Sequence, residues 1–81
     1  MDTKQKYVIL PEYNQIIIFN ILLDHSKFKS LNPISAGFCY IETNKINCFG
    51  KSITLNLESN ELDSFYATKQ VFGIEAAEQL N

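Results

Sequence analysis

The stretch from Ile34 to Gly50 constrains this chain more than any other. Two runs, Ile34–Glu42 and Ile46–Gly50, flank a short polar tip that reads as a hairpin. Thr43-Asn44 makes a two-residue turn, with Asn44-Lys45 as the alternative tip. With Thr43-Asn44 at the tip, Glu42 opposes Lys45, Ile41 opposes Ile46, Cys39 opposes Cys48 and Phe38 opposes Phe49. The opposite charges at the tip and the aromatic pair favour that register. Side chains alternate across a strand. Ile34, Ala36, Phe38 and Tyr40 therefore share one face with Phe49, and Cys39 and Ile41 share the other with Ile46 and Cys48. Both faces are apolar. A sheet with one wet face alternates apolar with polar residues, so this one needs cover on both sides.

The remaining sequence supplies more strands and little cover. Lys6–Leu10 is β-branched and aromatic, Pro11-Glu12-Tyr13-Asn14 is turn chemistry, and Gln15–Asn20 reads as a second strand. These two strands pair as a hairpin, with Ile9 near Ile16 and Tyr7 near Ile18. Asp24–Leu31 reads as a short helix capped by Asp24 and ended at Asn32-Pro33. Ser52–Glu58 alternates, with Ile53, Leu55 and Leu57 on one side, and is expected as a further strand. Ser59 to Asp63 reads as a helix start. Leu62, Phe65, Tyr66 and Phe72 form a rough apolar stripe, and Gly73 is the stop. Ile74–Leu80 adds a terminal helix or frays. The expected fold is α+β: one compact domain over residues 1–81, an antiparallel sheet of about five strands with two short helices, in the order β-β-α-β-β-β-α.

Two short helices cover one sheet face. The other face then associates with a second copy or a larger protein, or else a helix and the C-terminal tail wrap it. With 81 residues, 46% of them apolar and 12% aromatic, disorder and collagen-like or Pro-rich structure are excluded. Net charge is −2, which excludes a strongly basic nucleic-acid module. All seven cations are lysines. Six of them stand in residues 1–51 against Asp2, Glu12, Asp24 and Glu42. Residues 52–81 hold Lys69 against Glu58, Glu61, Asp63, Glu75 and Glu78. The halves therefore differ in sign, which suits docking.

Catalytic and metal motifs are sparse. Cys39 and Cys48 lack the C-x₂-C spacing of a zinc knuckle, and His25 offers a third ligand with no fourth. The cysteines read as small buried hydrophobes, with a cross-strand disulfide as the alternative. Asp24-His25 is the raw material of general-base catalysis, or an ordinary exposed helix start. Gly50-Lys51-Ser52 ends like a phosphate-binding loop, but Lys45 stands where the loop's first glycine belongs. Gly37 inside a strand marks a bulge or a close backbone approach. The strand aromatics could stack single-stranded bases, although the lysines do not interleave with them and no Gly/aromatic/basic RNA-binding signature is present.

The run Ser35-Ala36-Gly37-Phe38, then Cys48-Phe49-Gly50-Lys51-Ser52-Ile53-Thr54-Leu55, then Ser59 and Asp63, resembles a pattern in small uncharacterised bacterial and phage proteins. It covers roughly residues 25–65. The resemblance implies a mobile-element or accessory protein and no catalytic residues; small inhibitors of host defence such as anti-CRISPR proteins have this size. The expectation is therefore a non-enzymatic, cytoplasmic, protein-binding module, a homodimer or a regulator docking onto a larger protein. Neither cofactor nor metal is expected. Its partner-binding residues would be Phe38, Tyr40, Phe49, Glu58, Glu61 and Asp63. The alternative is a single-stranded nucleic-acid or nucleotide binder using the aromatic sheet.

Overall fold

The computed structural model describes residues 3–80. Strand β1 (Lys4–Ile9) pairs antiparallel with β2 (Ile16–Phe19), placing Tyr7 opposite Ile18 and Ile9 opposite Ile16 as the sequence predicts. The connecting turn puts Tyr13 and Asn14 in the left-handed region at φ 62° and 51° and closes with Leu10 N–H on Gln15 O at 2.8 Å. A 3₁₀ helix follows at His25–Leu31. Asp24 caps it by accepting the Ser26 N–H, and left-handed Asn32 ends it.

Strands β3 (Ser35–Glu42) and β4 (Lys45–Phe49) form the central hairpin, with Asn44 at φ 60° in its tip. All four cross-strand pairs expected from the sequence are present. Strand β3 also pairs antiparallel with β1, from Lys4 opposite Tyr40 to Ile9 opposite Ser35. The sheet order is β2-β1-β3-β4.

The α+β class and the antiparallel sheet hold, but residues 52–58 do not extend the sheet. Strand β5 (Lys51–Ser52) turns back on β6 (Leu57–Glu58) as a separate two-stranded hairpin. Asn56 adopts φ 54° and donates its N–H to Ile53 O at 3.1 Å, while Ser52 Oγ accepts the Leu55 N–H. Asn tolerates the left-handed region at little cost, so the alternating pattern folds into a turn. Leu55 and Leu57 still reach the core, and Ile53 is left exposed.

Helix α1 (Asp63–Phe72) lies on the first face of the sheet and meets the short α2 (Ile74–Glu78) at Gly73, whose φ is 100°. The core beneath α1 is Tyr7, Ile9, Ile16, Cys39, Ile46 and Ala67. Burial falls on Ala67 and Thr68, with Tyr66 packed alongside, while Leu62 and Phe72 of the expected stripe lie exposed. The helix also occupies both sheet edges. Thr68 Oγ1 accepts the Ile46 N–H of β4 at 3.0 Å, and Ser64 Oγ accepts that of Cys48 at 2.8 Å. Gln70 takes both the N–H and the carbonyl of Ile16 in β2. Edges satisfied in this way resist strand addition by another chain.

The second face carries three cross-strand rows. Ile17, Val8 and Ala36 form the first, Phe19, Lys6, Phe38 and Phe49 the second, and Lys4, Tyr40 and Asn47 the third. Phe28 of the 3₁₀ helix and Leu55 and Leu57 of the small hairpin cover the first row. The chain thus wraps this face itself, but only at one end.

Candidate functional site: the open end of the sheet

Phe19 of the second row is buried against Phe28, but the Phe38–Phe49 end of that row and the third row lie beyond the cover. Tyr40 and Phe49 stack with ring centroids 5.3 Å apart and planes 17° off parallel, and they are 36% and 38% exposed. Phe38 continues the series at 6.1 Å from Phe49. Lys4 Nζ lies 5.0 Å from the Phe38 centroid, within cation–π range. Lys6 stands beside Phe38 in the same row and gives one of its three ammonium donors to Leu23 O at 2.7 Å. Of the expected partner-binding residues, Phe38, Tyr40 and Phe49 come together here.

The other three do not join them. Glu58 and Glu61 are exposed and line other hollows, with Glu58 directly opposite Lys51 across β5 and β6. Asp63 is withdrawn as a partner-binding residue. It is 1% exposed, and its Oδ2 accepts the Tyr7 hydroxyl at 2.5 Å and the Asn60 N–H at 3.0 Å. A carboxylate engaged in this way locks α1 to β1 and presents nothing to a partner.

A groove of about 510 Å³ opens beside the stack. Phe38 and Phe49 line it with Lys4, Lys6 and Lys51, and Asp24, His25 and Thr54 wall its inner end. Asp24 Oδ1 accepts the Ser26 N–H at 2.8 Å and the Thr54 hydroxyl at 2.9 Å, tying the small hairpin to the 3₁₀ helix. Those bonds, the Ser26 backbone first, hold its carboxyl below the ordinary carboxylate range. His25 is buried. Its Nε2–H donates to Gly37 O at 2.8 Å, and its ring meets Phe19 and Phe38 edge-on at 5.4 and 5.8 Å. Asp24 and His25 therefore make separate structural contacts and no hydrogen bond to each other, rather than the exposed helix start the sequence suggested for His25.

Gly37 marks a close approach: a Cβ there would sit 2.4 Å from Phe49 O. Gly50, at φ 80°, turns the chain out of β4, so Lys51 enters the groove through a bend and not through a phosphate-loop helix. Cys39 and Cys48 are free thiols facing each other across β3 and β4. Burial pushes them up to about 11 and about 12, Cys48 also feeling Cys39 and Asp63. Among the described residues no group of three His, Cys, Asp or Glu is placed to hold a metal ion. Nor is any helix there long and apolar enough to cross a membrane.

Sequence reasoning missed the lysines. They do interleave with the aromatics, because β1 pairs with β3 across an intervening strand and helix. The available signal was parity: Lys4 and Lys6 lie on the opposite side of β1 from Tyr7 and Ile9, hence on the face away from α1. No protein-family model, curated protein or solved structure matches the chain.

Proposed function

We propose that this chain is a non-enzymatic binding module, and that its ligand is single-stranded nucleic acid held on the open end of the sheet. One observation carries the reading. The β1–β3 register sets Lys6 beside Phe38 and Phe49, and Lys4 beside Tyr40, on a face whose rings are left accessible. Aromatic rings stack bases of any sequence, while nearby ammonium groups neutralise the phosphates. A flat platform with lysines and no arginine favours sequence-tolerant binding. Of the acidic residues, Glu75 and Glu78 lie on α2 and Glu61 just before α1, while Glu42 is paired with Lys45 and bonded to Asn47 and Glu58 stands opposite Lys51.

Fluorescence anisotropy with short DNA and RNA single strands tests this. The expected Kd is on the order of 10⁻⁵ M, as for non-specific binding. Lys4 and Lys6 give an expected salt slope of about −1.4 in log K against log salt. Tyr40→Ala or Phe49→Ala should each weaken binding by about 1–3 kcal/mol, the worth of one stacked base. Binding that ignores both substitutions, or no binding in low salt, refutes the reading. In the second case, light scattering and capture by an acidic peptide would direct the patch to protein docking instead.

A further inference from the structure

The platform is open at one end only. Beyond the Tyr40 row the sheet continues to the exposed hairpin tip. In the other direction the 3₁₀ helix and the small hairpin rise over the Ala36 row, and the Asp24–Thr54 bond joins them. A strand lying along the rings toward Phe38 therefore meets a wall. Lys6 and Lys51 stand at that wall, with Lys4 one row behind. Against these three ammonium groups the groove lining holds one carboxylate, Asp24, already occupied by two donors, and Glu58 stands opposite Lys51 across the small hairpin.

We infer that the groove captures the phosphorylated end of a single strand, with the terminal base against Phe38 and Phe49 and the terminal phosphate between Lys6 and Lys51. This rests on the nucleic-acid reading and deepens it. An internal phosphodiester carries one negative charge, whereas a terminal monoester carries about −1.5 to −2 at neutral pH. A basic groove flanked by the bonded Asp24 and Thr54 therefore distinguishes an end from an interior by charge.

The test compares oligothymidylates of one length carrying a 5′-phosphate, a 3′-phosphate, no terminal phosphate, or closed into a circle, with thymidine monophosphate as a fifth arm. One terminal phosphate should tighten binding about tenfold over the bare strand, the worth of one charge-assisted contact. The circle should bind no better than the bare strand. Lys51→Gln should erase the phosphate advantage and leave bare-strand binding within about threefold, because the stack is untouched. Equal binding of phosphorylated, bare and circular strands overturns the end-capture inference while leaving the platform standing. Loss of all binding overturns both. A mononucleotide competing as well as the phosphorylated strand also overturns it, since the platform would then contribute nothing.

Discussion

Replacing Tyr7 by Phe tests the packing that presents this face. The hydroxyl of Tyr7 donates to Asp63 at 2.5 Å, and the two side chains are 0% and 1% exposed. The substitution keeps the ring and leaves a buried carboxylate with only the Asn60 N–H. Hydrogen bonds to a charged group are worth about 1.5–3 kcal/mol, in a domain whose core supplies on the order of 3–5 kcal/mol. A loss of about 2 kcal/mol lowers Tm by roughly 8–16 °C at this size. Asp63→Asn keeps an acceptor oxygen and should cost less, so the double-mutant cycle should show clear coupling. The pH dependence has a definite sign. Burial first, then the bond to Asp63, pushes Tyr7 ionisation far above its ordinary value of 10. Above about pH 10 the unfolded chain sheds this proton and the folded chain keeps it, so stability falls by about 1.4 kcal/mol per pH unit. Cys39 and Cys48, pushed up to about 11 and about 12, add losses of the same sign above their ordinary value of 9.0. Tyr7→Phe removes the tyrosine part alone, so its deficit should shrink above about pH 10. Urea unfolding followed by circular dichroism measures both effects. A deficit below about 0.5 kcal/mol at neutral pH, within ordinary surface-substitution scatter, or one unchanged with pH, would refute the reasoning.

Gly37→Ala forces a Cβ to 2.4 Å from the Phe49 carbonyl oxygen, a backbone atom with no rotamer to yield. It should destabilise by about 1–3 kcal/mol in thermal melts, as overpacking does. Ser64→Ala with Thr68→Val strips the acceptors from the Cys48 and Ile46 N–H groups of β4. Stability should fall by about 1–3 kcal/mol per orphaned donor, and light scattering should detect new association through the uncovered edge.

Whatever depends on neighbours in sequence was legible. The tip at Thr43-Asn44 fixed the β3–β4 register, the Pro11–Asn14 turn fixed that of β1–β2, and Asp24 and Gly73 bounded helices where expected. Residues 52–58 misled because strand alternation does not reveal whether an Asn takes the left-handed region. Asp63 looked like an exposed first-turn carboxylate because its partner, Tyr7, lies 56 positions away. The lysines of the candidate site were hidden for the same reason: their neighbours are set by a pairing between β1 and β3 that no short window contains.

The two-sided apolar sheet inferred from the sequence is real, and most of it is explained by cover from within the chain. α1 shields one face, and Phe28, Leu55 and Leu57 shield the start of the other. What folding does not explain is the choice of residues beyond that cover. Tyr40 and Phe49 gain little from half-buried positions at the open end, where Thr or Lys would serve a solvated strand as well. Near them Glu42 accepts from Asn47, so polar side chains are accommodated on this face. Aromatic residues in wet positions, in rows with lysines, are what the proposed ligand would use. This separates function from stability at the same residues. Tyr40→Ala and Phe49→Ala should weaken ligand binding while costing about 1–2 kcal/mol of stability, less than a core aromatic, because over a third of each residue is already in water. If either substitution instead destabilises the fold by several kcal/mol, as removal of a core aromatic does, the rings are core residues and the platform loses its basis.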